Sequence, residues 1–235
     1  MTVTADTSQL LLTPAKVKWF RSQLSLWATE NLRKFPWRCT TDPYKIFIAE
    51  FLLQKTGAVT VVQVYNAFLS KYPTLSDLAG ASVAEISLLL NPLGLHFRAE
   101  RLHESVQMIL KDYSGIIPTT EAQLLTLPGV GKYTARAICS QAYLQPLAVL
   151  DTNVARIFER FFGLQGNRVK SRCKLLWQAA DEVAPISEVG KWNLALLDFG
   201  AAICTARNPN CDRCPLSCKC TFALTAIVID STSGK

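Results

Sequence analysis

The sequence predicts an all-α protein of about ten short helices. Three observations lead there. Apolar residues recur every three or four positions along most of the chain, the spacing that lines one face of a helix. No stretch shows the strict apolar–polar alternation of a half-buried strand. Pro and Gly punctuate the chain at Pro36, Pro73, Pro92, Gly94, Pro118, Pro128, Pro146, Pro185 and Pro209, which limits each helix to a few turns.

Taken in order, Val17, Phe20, Leu24 and Trp27 mark a first helix. In DPYKIFIAEFLLQKTGA, residues 42–58, Asp42 and Pro43 make a good helix start, and the helix that follows is apolar nearly all round. Glu50 has Ile46, Ala49 and Leu53 at its helical neighbour positions. A carboxyl with that lining should titrate high and serve as a proton donor; pairing with a buried arginine is the plainer alternative. Gln54 lies one turn on, on the same side, where it can address the same ligand. Val61, Val64, Phe68 and Leu69, then Leu102, Val106, Ile109 and Leu110, mark two further helices.

In LTLPGVGKYTARAI, residues 125–138, a helix beginning near Thr120 stops at Pro128 and a new one starts at Lys132. Gly129 and Gly131 permit a sharp hairpin between them. Free N–H groups at the new helix start, with the Lys132 charge, make an anion site. Such a hairpin grips the DNA backbone without reading sequence; an ordinary helix–turn–helix connection is the alternative. In PLAVLDTNVARIFERFF, residues 146–162, Asp151 follows an apolar run and precedes a helix. It suits a plain N-cap. A carboxylate held there by the helix dipole, at the edge of an apolar pocket, can also stabilise a developing cation.

The chain has 235 residues, enough for one large domain or two small ones with a real core. Hydrophobic residues make up 49%, which excludes a disordered chain. The net charge of +7 and pI near 9.0 point to a polyanion partner, nucleic acid first; a generic basic surface is the alternative. No apolar run reaches the ~18 residues that span a bilayer, and the N-terminus lacks the pattern of a signal peptide. The expectation is an intracellular protein, cytoplasmic or nucleoid-associated, with no membrane partner. In that setting clustered cysteines act as metal ligands more often than as disulfides.

Such a cluster closes the chain: Cys204-x6-Cys211-x2-Cys214-x5-Cys220. Four thiolates at this spacing fit a structural zinc or a [4Fe–4S] cluster, and chemistry alone does not decide. Cys218 breaks the loop between Cys214 and Cys220. Cys39, Cys139 and Cys173 stand alone and read as plain core or surface residues. Arg207, Arg213 and Lys219 lie between the candidate ligands, so the loop can face phosphate, although a purely structural staple would look the same.

Together, L-P-G-V-G-K-Y-T, Asp151 and C-x6-C-x2-C-x5-C resemble the helix-hairpin-helix DNA glycosylases, the relatives of endonuclease III and the adenine-DNA glycosylase. FPWR…DPYKIFIAEFLLQKT is similar to the N-terminal motif of the adenine and thymine-mismatch branch. The resemblance runs from about residue 16 to residue 221. It implies a two-domain fold. A helical barrel domain, 33–147, carries the hairpin; 14–32 with 148–221 form the cluster domain; 1–13 and 222–235 are flexible tails. It also implies that Cys204, Cys211, Cys214 and Cys220 hold a [4Fe–4S] cluster, with Cys218 outside it.

By the same resemblance, double-stranded DNA with a mismatched or damaged base is bound by a monomer, and the flipped base lies in a cleft with Asp151 and Glu50 at its mouth. Asp151 would stabilise the cationic sugar and help deliver water, and Glu50 would protonate or hydrogen-bond the leaving base. Leu95 and His96 match the segment that wedges into the stack. Gln54 and Lys55 match the loop that probes the gap, and Gly129, Gly131 and Lys132 hold phosphate. Tyr133 stands where bifunctional relatives carry a nucleophilic lysine and adenine enzymes typically a serine. Tyrosine there is the feature of thymine-mismatch glycosylases, and the chain ends soon after Cys220, without the domain that reads oxidised guanine. The resemblance therefore implies a monofunctional enzyme releasing thymine, and uracil, opposite guanine. Adenine release from A·G or A·8-oxoguanine is the alternative, since Gln54 suits either branch. A non-catalytic damage binder would need neither Asp151 nor Glu50, and a zinc-knot adaptor would be colourless.

Overall fold

The computed structural model describes residues 11–94 and 97–225. Among these, every regular element is helical: eleven α-helices between Pro14 and Ala202, five short 310 segments, a further helical stretch at 221–225, and no strand. The chain divides into two compact units. One is continuous, Lys34–Gln145; the other runs up to Arg33 and resumes at Pro146. The order is α1 (Pro14–Asn31), α2 (Pro43–Leu53), α3 (Ala58–Lys71), α4 (Leu75–Ala79), α5 (Val83–Leu90), α6 (Phe97–Asp112), α7 (Glu121–Leu124), α8 (Lys132–Ala142), α9 (Thr152–Phe162), α10 (Lys174–Val183) and α11 (Val189–Ala202).

In the continuous unit, α2 is the central element. Pro43 supplies the helical φ at its first turn, and Asp42 caps it by accepting the N–H groups of Tyr44 and Lys45. Every residue from Ile46 to Leu52 is buried, as expected of a helix packed by α8 and α3. The short helices α4 and α5 begin with capping boxes, Thr74 with Asp77 and Ser82 with Glu85. Both pack on α6.

In the discontinuous unit, α1, α9 and α11 enclose an aromatic core. Phe20 is fully buried; its ring centroid lies 4.7 Å from that of Phe161, 5.2 Å from Phe162 and 5.8 Å from Trp192. Gly200 lets α11 approach α9: a Cβ there would lie 2.7 Å from the Cβ of Asn153. The extended run Ala148–Leu150 is buried and lacks a regular ladder. Asn193 supplies the missing partners, donating to Leu147 O at 3.0 Å and accepting from Val149 N at 3.1 Å. This fixes the approach of the chain to Asp151.

One expectation is corrected. The helix expected to reach Pro128 ends at Leu124. Beyond it the amides of Thr126 and Leu127 bond three residues back, to Gln123 and Leu124, so the chain tightens into turns before Pro128. At either end, described residues are ordered against the core or as helix. Leu11 and Leu12 pack on the core, Thr13 caps α1, and 221–225 is helical with Ala223 buried. Leu95 and His96 lie outside the described residues.

Truncating Phe20 removes a ring packed on three sides. Phe20→Ala should lower stability by about 3–5 kcal/mol, whereas Leu26→Ala, at a site 67% exposed, should change it by less than about 0.5 kcal/mol. Urea unfolding followed by circular dichroism measures both.

Candidate functional site

Glu50 lies in the middle of α2 and is 5% exposed, with Ile46, Phe47, Ala49 and Phe51 buried around it. Burial pushes its carboxyl up to about 8, while the positive charge of Arg38 pulls the other way without cancelling it. Arg38 closes the 310 turn Pro36–Arg38, its guanidinium 5.1 Å from the Phe35 ring centroid. An arginine thus stands near Glu50, and desolvation still outweighs its charge.

Where α2 ends, the chain makes a strained turn. Gln54 leaves the helix, and Lys55 takes the left-handed region at φ 56°, which is uncommon for a residue with a side chain. Gln54 Nε2 donates to Gly129 O at 2.9 Å, so this side chain is tied to the hairpin. The two hairpin glycines differ. Gly129 has φ 83°, and a Cβ there would meet Phe51 at 3.1 Å and Arg101 at 3.2 Å; both conformation and space demand glycine. Gly131 has an ordinary φ of −96° and open space around it. Its contribution is a bare N-cap: glycine has no side chain with which to cap α8, and a helix start of this kind suits an anion. Lys132 and Tyr133 are the first two residues of α8, and both are half-buried.

Asp151 is the N-cap of α9. Its Oδ1 accepts the amides of Asn153 and Val154, both at 2.8 Å, and its Oδ2 accepts Asn153 Nδ2 at 2.7 Å. Asn153 Oδ1 in turn accepts Arg156 Nη2 at 2.9 Å. Arg156 also donates to Gly200 O and, through Nε, to Cys204 O, each at 2.8 Å. A continuous hydrogen-bonded path thus joins the Asp151 carboxylate to the first cysteine of the C-terminal loop.

Cys204, Cys211, Cys214 and Cys220 line one cavity with Arg160 and Phe222; Cys218 is exposed and does not. Burial, and then the charges of the other three, push the Cys214 thiol up to about 11. Cys211 and Cys220 are raised for the same reasons. Four sulfurs lining one cavity cannot all carry charge without a cation among them, so the donor set is compatible with zinc or an iron–sulfur group, although they are not drawn together into a preformed metal site. Arg160 supports the loop, donating to Thr205 O at 2.7 Å and Ala206 O at 3.1 Å, with Nη1 3.5 Å from Cys204 Sγ.

Sequence reasoning missed Asn153, Arg156, Arg160, Asn193 and Arg98. Asn153, Arg156 and Arg160 follow Asp151 at helical spacing, a signal that was available. Asn193 carries none, because its partners are 44 and 46 residues away.

The comparisons agree with this geometry. Residues 48–181 match the family model of the HhH-GPD superfamily base excision DNA repair proteins, and 204–217 match the iron-sulfur binding domain of endonuclease III. The chain is 38% identical over 200 residues to the thymine/uracil-DNA glycosylase of Methanothermobacter thermautotrophicus, covering 85% of this chain and 90% of that one. It is 35% identical over 188 residues to the adenine DNA glycosylase of Buchnera aphidicola, covering 80% of this chain and 53% of that one. A solved thermostable thymine-DNA glycosylase superimposes with a TM-score of 0.86 at 36% identity, covering 90% of this chain and 98% of that one. The family model spans more than half of the chain and the relatives match along most of it, so the chain belongs to the HhH-GPD superfamily of base excision DNA repair proteins.

Proposed function

We propose that the protein is a monofunctional DNA glycosylase that releases thymine, and uracil, mispaired with guanine. The observation that carries this reading is the 38% identity to a thymine/uracil-DNA glycosylase across 85% of the chain. Tyr133 supports it: at the second position of α8 its ring narrows the space that a serine would leave open, and it offers no amine to form a Schiff base. The adenine reading rests on the 35% identity to an adenine DNA glycosylase and on Gln54.

A base is reached only outside the stack, and a wobble pair opens more easily than a matched one. The hairpin amides beside Gly129 and Gly131, with Lys132, bind backbone phosphate; Gln54, Lys55, Leu95 and His96 meet the disturbed pair. Asp151 stabilises the positive charge that develops on the sugar as the N-glycosidic bond breaks, much as in glycoside hydrolysis, and helps orient water. Glu50, held neutral by burial, gives its proton to the leaving base. Cys204, Cys211, Cys214 and Cys220 would hold a [4Fe–4S] cluster, whose cationic core would offset part of the thiolate charge and brace the loop. The partner is mismatched double-stranded DNA, bound by one copy of the chain.

Single-turnover base release from G·T, G·U, A·G and A·8-oxoguanine duplexes tests the assignment. G·T and G·U should be cut fastest, leaving an intact abasic strand with no borohydride-trapped complex, and Tyr133→Ser should shift the preference towards adenine. Faster adenine release by the wild type would overturn it.

The acid role has a pH signature. With a folded value of about 8 against 4.5 for an ordinary glutamate, Glu50 keeps its proton through neutrality. Base release should therefore fall above about pH 8, and Glu50→Gln should abolish that limb and slow release by about 100-fold or more. The sign for stability is the same. Between 4.5 and about 8 the unfolded chain loses this proton first, so the stability tied to Glu50 is fully present below 4.5 and is lost as pH rises to about 8. Glu50→Gln should flatten that decline.

Anaerobically purified protein should be brown and contain about four irons per chain. Cys218→Ser should retain them and Cys211→Ser should not; stoichiometric zinc without iron would contradict the cluster.

A further inference from the structure

The only positively charged side chain among the twelve largest fully buried ones is Arg98, at 0% exposure. It lies on α6, and every group it donates to is neutral: carbonyl oxygens and one hydroxyl. Nη1 donates to Leu52 O at 2.7 Å. Nη2 donates to Leu93 O and Gly94 O, each at 2.9 Å, and to Thr56 Oγ1 at 3.1 Å. Nε has no hydrogen-bond partner. Withdrawing a guanidinium from water into a site with no carboxylate to pair with it is unfavourable, so the arrangement calls for a reason beyond filling space.

The partners supply one. Leu52 and Thr56 flank the turn in which Lys55 is held at φ 56°, and Leu93 and Gly94 form a second turn, with Gly94 at φ 67°. Both positions have positive φ, Gly94 with ψ −170°, and Lys55 and Gly94 are exposed. They are separated by about forty residues in sequence and joined through one planar fork of donors, the geometry that distinguishes arginine from lysine. Strained turns persist where the surroundings over-determine them, and they gather at functional sites. The same helix serves the hairpin: two turns along α6, Ser105 Oγ donates to Pro128 O at 2.7 Å.

We propose that Arg98 is a positioning residue that sets the spacing between the Gln54–Lys55 turn and the Leu93–Gly94 turn, and thereby the discrimination between mismatched and matched DNA. The inference rests on the DNA-contacting role proposed above for Gln54 and Lys55. Arg98 itself does not touch DNA. Its effect is confined to lesion recognition and leaves the phosphate grip of the α8 hairpin intact.

Arg98→Lys keeps the charge but lacks the fork. The readouts are the affinities for matched and mismatched duplexes and the fluorescence of 2-aminopurine placed beside the mismatch, which brightens as the stack opens. The probe is whichever duplex of the base-release panel the wild type prefers most strongly over matched DNA. A wrong base assignment therefore leaves this test standing, whereas a wild type with no preference for any of them would sink the glycosylase reading itself. The expected result is a loss of mismatch preference by about tenfold or more, a weaker fluorescence rise, and affinity for matched duplex unchanged within about twofold. A folded Arg98→Lys that discriminates as the wild type does, or that loses both affinities equally, overturns the proposal. Should the lysine variant not fold, Thr56→Val removes one acceptor and leaves Arg98 in place: a several-fold loss of preference sustains the clasp, and an unchanged preference refutes it.

Discussion

Two arginines one turn apart on α9 hold the discontinuous unit in register. Arg156 and Arg160 donate to the carbonyls of Gly200, Cys204, Thr205 and Ala206, where α11 ends and the cysteine loop begins. Carbonyls at a helix C-terminus have no partner within the helix, and guanidinium groups satisfy them while complementing the negative end of the dipole. The consequence reaches the other end of α9. Because Asn153 Oδ1 is taken by Arg156, its Nδ2 faces Asp151, and all the carboxylate's recorded bonds come from residues one to three positions into the helix. The helix that presents Asp151 and the loop that gathers the cysteines therefore cannot move independently. Gly200 makes the arrangement possible, since any side chain there would push Asn153 away.

The two proposed catalytic acids stand in opposite surroundings. Asp151 sits at a helix start among three N–H donors. Glu50 sits mid-helix among buried apolar side chains, with its titration moved to about 8. One carboxyl is fitted to remain an acceptor and the other to retain a proton near neutrality, which is the division of labour that breaking a glycosidic bond requires. Neither environment depends on the other. Asp151 owes its surroundings to its position at the N-cap, and Glu50 to the burial of the helix around it.

How much of this was legible in the sequence depends on the range of the interaction. Caps are local, and Asp42 and Asp151 were readable as helix starts. The hairpin was readable because proline and glycine act on their own backbone. The length of α7 was not, since the turns after Leu124 compete with helix over single hydrogen bonds. The split role of Gly129 and Gly131 was also hidden: the crowding by Phe51 and Arg101 comes from helices distant in sequence. Gln54 looked like a residue turned towards a ligand, yet its amide bonds the hairpin. Arg98 was the most readable of the missed residues. It falls in phase with the apolar stripe Leu102, Val106 and Ile109, and a charge in such a stripe must find internal partners.

The same accounting changes what the net charge of +7 means. Read from composition, the excess of lysine and arginine is a footprint for a polyanion. In the fold, much of it is internal carpentry. Arg21 donates to the carbonyls of Glu182, Val183 and Ala184 at the end of α10; Arg98, Arg156 and Arg160 tie other carbonyls; Arg33, Arg136 and Lys170 pair with Asp198, Glu121 and Glu159. Groups committed in this way contribute little to a phosphate contact, because binding one would break a bond that holds the fold. The charges proposed to meet DNA are a smaller set at particular places: Lys132 at a helix start whose N-cap is glycine, Lys55 on its strained turn, and Arg207 and Arg213, exposed on the cysteine loop. Placement beside open backbone amides, rather than total charge, is what separates a phosphate grip from a generally basic surface.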